Sequence, residues 1–295
     1  MNAILKSVLR TFVRAARPHL EFTGLLQTSG VLANSAAVWR PGSERVLVLA
    51  PHMDDEAIGC GGTIALHARA GAAVTVVFLT DGRNGGGLGA LSGKARERRQ
   101  AELIDTRQRE ARAALALLGV TDIRCLALRD GELAESSELA ADKLRSILAQ
   151  VRPDLVYLPL FTDEHSDHRA ASEVLLIAAD GLRPRFTCVG YEVWTPLFPN
   201  CIVNINETAA SKQRAIERYE SQLQDADYVR AAMGLSAYRS IGLLGVRDSY
   251  AEAFFMCPFT TYRTLHAEFL GSKAGRRMAD KRNGATSATP TAEQI

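Results

Sequence analysis

Residues Val46–Gly62 read VLVLAPHMDDEAIGCGG, an apolar run that ends at Pro51 and is followed at once by polar residues. A buried strand of a parallel sheet has such a continuous apolar run, and open α/β sheets bind ligands beyond the carboxyl ends of these strands. His52 and Asp55 are three residues apart, so a first helical turn would aim both side chains the same way. An imidazole and a carboxylate together suit zinc. Asp54, between them, would be free to transfer a proton.

A second polar cluster follows another apolar run. Pro153–Pro159, PDLVYLP, is predicted to be a strand, and it leads into LFTDEHSDHR. His165, Asp167 and His168 should therefore emerge at the same edge of the sheet as the first cluster. Two polar clusters that meet across the sheet favour a functional site over two isolated structural histidines.

The chain between these clusters alternates strands and helices. The predicted strands are Arg45–Ala50, Ala73–Thr80, Asp122–Leu128 and Pro153–Pro159, and the predicted helices are Ala57–Ala70, Ala95–Leu118 and Ser136–Val151. This alternation is typical of an α/β fold with a Rossmann-like, mostly parallel sheet, right-handed crossovers and helices on both faces. Beyond residue 185 we expect strands at 186–194, 201–205 and 251–258, and helices at 208–223 and 226–233.

Three segments follow from composition. Residues 1–43 are expected to hold an amphipathic helix at 2–17 and an irregular lead-in, residues 44–270 the domain with both clusters, and residues 271–295 a disordered polar tail. The helix carries only basic charges, so it either docks on the domain or lies on anionic lipid. The glycine-rich stretch Arg83–Gly93 is either a mobile flap over the site or a plain linker.

Composition also excludes several functional classes. A formal charge of +2 over 295 residues argues against a nucleic-acid-binding protein. The five scattered cysteines form no CxxC pair and suit a reducing cytoplasm. We find no apolar run long enough for a membrane-spanning helix. No GxGxxG follows the first strand, which argues against a nucleotide-binding Rossmann protein. The sequence does not indicate an oligomeric state.

The two clusters together resemble those of a known family. PHMDDE at Pro51–Glu56 and HSDH at His165–His168 are similar to the paired motifs of the PIG-L/LmbE-like zinc-dependent deacetylases. Met53 and Ser166 stand where that family usually has proline, and neither would be a ligand. Further similar segments, spread over roughly residues 44–258, are TDG at 80–82, REARAALALLG at 109–119, DGEL at 130–133, KQRAIERYESQ at 212–222 and YAEAF at 250–254.

The resemblance implies an activity and a set of roles. The expected reaction removes the acetyl group from an N-acetylglucosamine-type conjugate, giving a free amine and acetate. Zinc, or alternatively ferrous iron, would be held by His52, Asp55 and His168. By the same resemblance, Asp54 would act as general base, a protonated His165 would stabilise the oxyanion, and Asp167 would orient a neighbouring histidine.

The sequence leaves alternatives open for the substrate-binding residues and for the molecule that carries the sugar. Arg109 would contact sugar hydroxyls or a phosphate, or else it would contact only solvent. Asp130 would bind sugar hydroxyls, or it would only form a turn. Glu192 and Trp194 would line the substrate-binding groove. The sugar could be linked to lipid, nucleotide or glycan. One alternative is a metallo-amidase for a non-sugar or thiol-conjugate amide; another is a binding protein without activity. We expect a cytoplasmic protein, either free or held at the inner membrane surface through residues 2–17.

Overall fold

The computed structural model describes residues 36–89, 91–243 and 248–271. Its main compact unit spans Ser35–Phe259 and contains the whole sheet. The described part of the second unit begins at Thr260 and is helical as far as Gly271. The helix predicted at 2–17 and the polar tail beyond Gly271 lie outside the described residues.

One mixed sheet of eight strands organises the main unit, in the spatial order β1-β7-β8-β6-β5-β2-β3-β4. All neighbouring pairs are parallel except those that β8 makes with β6 and β7. The strands are β1 Ala37–Trp39, β2 Val46–Ala50, β3 Val74–Thr80, β4 Asp122–Leu128, β5 Leu155–Pro159, β6 Thr187–Tyr191, β7 Cys201–Asn204 and β8 Ala251–Pro258.

Seven α-helices connect or follow these strands in the described chain. They are α1 Asp55–Arg69, α2 Gly93–Leu117, α3 Ser137–Val151, α4 Ser166–Ala178, α5 Ala209–Ile216, α6 Tyr228–Arg239 and α7 Phe259–Gly271. In the main unit α1, α2, α5 and α6 form one packed group, and α3 packs against α4 as another. None of the helices in the described residues is long and apolar enough to cross a membrane.

Burial of the central strands confirms the predicted α/β class. Every residue of β2 is fully buried, so side chains that point to either face are covered. Val46 and Val48 join the core cluster that α1 and α2 complete. Because β2 is buried on both faces, it can be a continuous apolar run without a polar side.

Several predicted elements differ from the structure. Residues 37–39 form an edge strand paired with β7, although we expected an irregular lead-in there. The helix predicted at 208–223 ends at Ile216, and the next helix runs from Tyr228 to Arg239 rather than over 226–233. Its start is set by Asp227, whose carboxylate accepts the Arg230 N–H at 2.9 Å.

Helix α1 is interrupted just after the first motif. Cys60 has non-helical backbone angles, φ −145° and ψ 20°. The amides of Gly62 and Thr63 instead donate to the Glu252 carboxylate at 2.9 and 2.8 Å. Lys212 donates to the Ile58 carbonyl at 2.8 Å and to Glu252 at 2.7 Å. A buried ion pair therefore satisfies the backbone groups that the break leaves unpaired.

Candidate active site

The site lies where the strand order reverses. From β2 the chain adds β3 and β4 on one side, and then β5 and β6 on the other. β2 and β5 are parallel neighbours, so their carboxyl ends meet at one edge. His52 and Asp55 follow β2, and His165 and His168 follow β5. This is the position at which open α/β sheets bind ligands.

Three side-chain atoms form a compact triad. His52 Nδ1 and His168 Nε2 each lie 3.3 Å from Asp55 Oδ2, and 3.3 Å from each other. Ligand atoms about 2.0–2.1 Å from a tetrahedral zinc ion are separated by roughly 3.3–3.4 Å. The spacing within the triad therefore fits a divalent metal ion that these three side chains would hold.

Two further groups overlap the triad. In each group, the possible ligand atoms lie within 4.8 Å of one another. One group is His52, His165 and His168, and the other is His52, Asp130 and Asp167. In the second group, Asp167 Oδ2 and Asp130 Oδ1 lie 3.2 and 3.3 Å from His52 Nε2, the ring nitrogen that does not belong to the triad. The set of His52, Asp55 and His168 matches the ligand set that the sequence predicts, and it stays a prediction.

Further carboxylates fix the two histidine rings. His52 Nε2 lies 3.2 Å from Asp167 Oδ2 and 3.3 Å from Asp130 Oδ1. His168 Nδ1 lies 3.2 Å from Asp163 Oδ1, within ion-pair distance although outside hydrogen-bond geometry. These carboxylates attract the ring protons, so the lone pairs of the opposite nitrogens face the triad. Asp167 has the orienting contact that we expected, and Asp163 was missed from the sequence.

The site concentrates buried negative charge. Burial disfavours the charged form of His168, but Asp55 and Asp163 outweigh it and raise its pKa to about 9. Burial also disfavours the charged form of His52. Asp130, Asp167 and Asp55 outweigh this effect, so the pKa of His52 lies well above its usual value. Groups that attract protons this strongly also attract a divalent cation, which displaces those protons on binding.

Asp54 is held in a strained conformation beside the triad. Its φ of 148° and ψ of −28° are unfavourable for a residue with a Cβ atom. Arg107 Nη2 donates to the Met53 carbonyl at 2.8 Å and contacts Asp54 Oδ1 at 3.3 Å. Burial raises the pKa of Asp54 to about 7, although Arg107 opposes this shift. The carboxylate is thus positioned by its neighbours and lines the cavity described below.

His165 differs from the protonated ring that we expected. Burial, together with the charges of His52 and His168, lowers its pKa to about 4. Its Nδ1 accepts the Asp167 N–H at 3.2 Å, which assigns the ring proton to Nε2. The ring centroid lies 4.7 Å from those of His52 and His168. A neutral His165 can still donate a hydrogen bond from Nε2.

The arginine that reaches the site is Arg107 and not Arg109. Arg109 is exposed, and within the described residues it donates to the Asp105 carbonyl and the Thr106 hydroxyl of its own helix. Arg107 is 3% exposed and follows Leu103 by four residues on the buried stripe of α2. That helical spacing was the signal in the sequence that distinguishes the two arginines.

Of the other predicted substrate residues, Asp130 lies at the site and Glu192 does not line it. Asp130 accepts the Asn84 N–H at 3.1 Å, and although burial opposes ionisation, His52 lowers the pKa of Asp130 to about 2. Glu192 is buried, accepts the Leu197 N–H at 2.8 Å and pairs with Arg239. It holds a loop instead of facing substrate, because both its oxygens are already bonded.

A cavity of about 580 Å³ opens above the triad. Its floor includes His52, Asp54 and Asp55, and Trp194 stands on its wall. The glycine-rich stretch borders the cavity at Asn84, which is hydrogen-bonded to Asp130 and Gln100. Two residues later, the Gly86 N–H donates to Asp225 at 2.7 Å. This part of the stretch is anchored, so the expectation of a free flap does not hold for 84–86.

Comparison with known proteins identifies relatives with named activities. Residues 47–179 match the model of the family PIG-L: GlcNAc-PI de-N-acetylase. A diacetylchitobiose deacetylase from Thermococcus kodakarensis is 31% identical over 200 residues, covering 62% of this chain and 71% of that protein. A 4-oxalmesaconate hydratase from Pseudomonas putida is 29% identical over 226 residues, covering 70% of this chain and 86% of that protein.

A solved structure agrees with these matches. The N,N'-diacetylchitobiose deacetylase from Pyrococcus horikoshii superposes with a TM-score of 0.61 at 29% identity, over 74% of this chain and 85% of that chain. The matched region includes the triad and both polar clusters. The chain therefore belongs to the PIG-L family of GlcNAc-PI de-N-acetylase-like proteins.

Proposed function

We propose that this protein is a metal-dependent hydrolase that removes the acetyl group from an N-acetylated amino sugar of the N-acetylglucosamine type, releasing acetate and a free amine. The observation that supports this most directly is the triad of His52, Asp55 and His168 with its 3.3 Å spacings. The related diacetylchitobiose deacetylases support the choice of an N-acetyl sugar amide.

We propose zinc as the metal, with ferrous iron as the alternative, because both accept imidazole and carboxylate ligands. His52 Nδ1, Asp55 Oδ2 and His168 Nε2 would hold it. These residues would hold a divalent ion whose Lewis-acid chemistry would acidify water and polarise an amide carbonyl. Asp167 and Asp163 would keep the two imidazole rings aimed at it.

Asp54 would act as the general base and then as the general acid. Its carboxylate borders the cavity beside the triad, and Arg107 fixes one of its oxygens. It would take a proton from the attacking water and return it to the nitrogen of the leaving amine. His165 would donate from Nε2 to the developing oxyanion, and Asp130 would accept hydrogen bonds from sugar hydroxyls.

The test is acetate release from a panel of N-acetyl amino sugars, with the metal content of the same sample measured by elemental mass spectrometry. We expect turnover by the metal-loaded protein, and turnover lowered about 10²–10⁴-fold in Asp54→Asn that has bound the same amount of metal. A protein with stoichiometric metal that releases no acetate from any sugar would refute the assignment. Release only from non-sugar amides would favour the alternative, a metallo-amidase for a non-sugar or thiol-conjugate amide.

The related hydratase suggests a second reaction, the addition of water to an unsaturated carboxylate. Among the described residues that line the cavity, Arg107 is the one with a permanent positive charge. Its Nη1 and Nη2 groups donate to Asp54 and to the carbonyls of Met53, Gly82 and Asn84, and its Nε is fully buried, where a substrate carboxylate does not reach it. Because no cation of this wall is left for substrate carboxylates, we favour the neutral N-acetyl sugar.

We further propose a cytoplasmic protein, because all five cysteines are unpaired. We retain residues 1–43, 44–270 and 271–295 as N-terminal segment, catalytic domain and polar tail. Residues 2–17 would contact an anionic membrane surface, where a lipid-linked sugar would be found. Deleting these residues should reduce co-sedimentation with anionic vesicles, and unchanged co-sedimentation would refute the contact.

A further inference from the structure

The peptide group that joins Met53 to Asp54 is held in an unusual orientation. Five residues other than glycine have a positive φ in the described chain. Four of them have a φ between 47° and 55°, in the ordinary left-handed region, whereas Asp54 alone has a φ of 148°. A residue with a Cβ atom keeps such a conformation only where its surroundings fix it. The side chains that contact this peptide group therefore decide where the Asp54 carboxylate points.

Both polar atoms of this peptide group are bonded to buried side chains. Arg107 Nη2 donates to the Met53 carbonyl at 2.8 Å, and the Asp54 N–H donates to Glu56 Oε2 at 3.2 Å. Arg107 is 3% exposed and Glu56 is fully buried. A cation thus holds the oxygen of the peptide group and a carboxyl group holds its N–H. The peptide group cannot rotate without breaking one of these bonds, and a buried polar group that loses its partner is costly.

Tyr219 fixes the carboxyl group of Glu56. Its hydroxyl donates to Glu56 Oε1, while Glu56 Oε2 accepts the Asp54 N–H, so each oxygen of Glu56 has a partner. Tyr219 is 1% exposed, and its ring belongs to the apolar core cluster. A ring that is packed on all sides gives its hydroxyl a defined position. Loss of this hydroxyl would leave Glu56 Oε1 without its donor and would let the carboxyl group turn away from Asp54.

The turn that carries Tyr219 is bonded to the helix that carries Arg107. Glu110 lies three residues after Arg107 on α2. Its two carboxylate oxygens accept the Ser221 N–H at 2.8 Å and the Ser221 hydroxyl at 2.7 Å, two residues beyond Tyr219. Helix α2 therefore supports both sides of the Met53–Asp54 peptide group, directly through Arg107 and indirectly through Tyr219.

Glu56 and Tyr219 lie behind Asp54, outside the set of described residues that line the cavity, whereas Asp54 belongs to that set. A bound sugar would therefore meet the Asp54 carboxylate and not the two side chains that support it. We infer that Tyr219, through Glu56, is a positioning residue that holds Asp54 in the orientation that a general base needs. This inference rests on the proposed function, which gives Asp54 that role.

The test is Tyr219→Phe, which removes one hydroxyl group and keeps the ring in the core. A displacement of about 1 Å in a catalytic group can lower a rate about a hundredfold, so we expect kcat for acetate release to fall about 10–100-fold. KM and metal content should stay unchanged, because no residue of the cavity wall and no candidate ligand is altered. Tyr157→Phe is the matched control, since the Tyr157 hydroxyl is also buried and lies 2.9 Å from His67 Nε2, near the far end of α1. It should leave kcat unchanged.

A second comparison separates positioning of the base from a general effect on the structure. Residues that act as one unit have effects that do not add. In Asp54→Asn the proposed base is absent, so a further Tyr219→Phe change should lower the remaining rate less than about threefold. The same 10–100-fold loss in both backgrounds would show that Tyr219 does not act through Asp54 and would overturn the inference. A Tyr219→Phe protein with unchanged kcat, or with its loss in KM or metal content instead, would overturn it as well.

Hydrogen exchange tests the same contact without a substrate. In protein made with isotopically labelled aspartate, the exchange rate of the Asp54 N–H, followed by NMR, measures how firmly Glu56 holds it. We expect this rate to be at least about tenfold higher in Tyr219→Phe than in Tyr157→Phe, whether or not acetate is released. Equal rates in the two variants would overturn the inference even if the protein is a deacetylase. Faster exchange in a metal-loaded protein that releases no acetate would refute the proposed function, while the support of Asp54 by Tyr219 would stand.

Discussion

Replacing Lys212 by methionine should destabilise the protein far more than removal of a surface lysine would. The side chains of Lys212 and Glu252 are each 2% exposed, and their charged atoms lie 2.7 Å apart. The Glu252 carboxylate also accepts the amides of Gly62 and Thr63 at the break in α1. Lys212→Met leaves this carboxylate buried without its cation and the Ile58 carbonyl without its donor.

The expected loss of stability follows from leaving the Glu252 carboxylate buried without its cation. Removing one partner of a buried ion pair costs about 3–5 kcal/mol in the free energy of unfolding. For a domain of 150–250 residues, each kcal/mol lowers the melting temperature by roughly 2–4 °C, so we expect a decrease of about 6–20 °C. The break in α1 follows Asp55 by five residues, so the same substitution should also weaken metal binding.

The assay is urea and thermal unfolding followed by far-ultraviolet circular dichroism. Arg98→Met is the control, because Arg98 is 85% exposed in its pair with Glu102, and it should change stability by less than about 0.5 kcal/mol. Lys212→Met combined with Glu252→Gln removes both charges and should cost less than the sum of the single changes. A Lys212→Met protein within about 1 kcal/mol of the unmodified protein would refute the reasoning.

Four further outcomes test the site. Chelation should lower the melting temperature, and added zinc should restore it in the unmodified protein but not in Asp55→Ala; equal restoration would exclude Asp55 as a ligand. Asp54→Asn should lower kcat about 10²–10⁴-fold with unchanged metal content, and a smaller loss would argue against a general base. Asp167→Asn should weaken metal affinity about 10–100-fold in a competition titration with a chelator, and unchanged affinity would contradict its orienting role. Arg107→Gln should lower acetate release while Arg109→Ala leaves it unchanged, and the reverse would restore the original assignment of Arg109.

Local sequence patterns were sufficient to predict the elements whose structure depends on near neighbours along the chain. VLVLA at 46–50 had to be a strand buried on both faces, because it has no polar side, and the strand predicted at 122–128 has the observed bounds. The polar clusters after β2 and β5 met because the carboxyl ends of parallel strands share an edge. The full set of candidate metal ligands came from the resemblance to the family, and it stays a prediction.

Other features could not be predicted because they depend on partners distant in sequence. β1 is a three-residue strand whose pairing with β7, at Cys201–Asn204, spans more than 160 residues. Asp163 looks like an ordinary loop residue until the fold brings its carboxylate to His168 and to the Trp194 amide. Propensity and periodicity contain no information on such contacts, because both describe only near neighbours along the chain.

Two of the short segments that resemble the family, DGEL and TDG, hold the candidate ligand His52 in place through hydrogen bonds to its neighbours. In DGEL, Gly131 and Leu133 donate their amides to Asp167 at 2.7 and 3.3 Å, and Asp167 in turn faces His52. In TDG, Thr80 donates its hydroxyl to the Pro51 carbonyl at 2.7 Å, immediately before His52. Two separate turns thus constrain one imidazole, so substitutions in either turn should alter metal affinity although neither turn supplies a ligand.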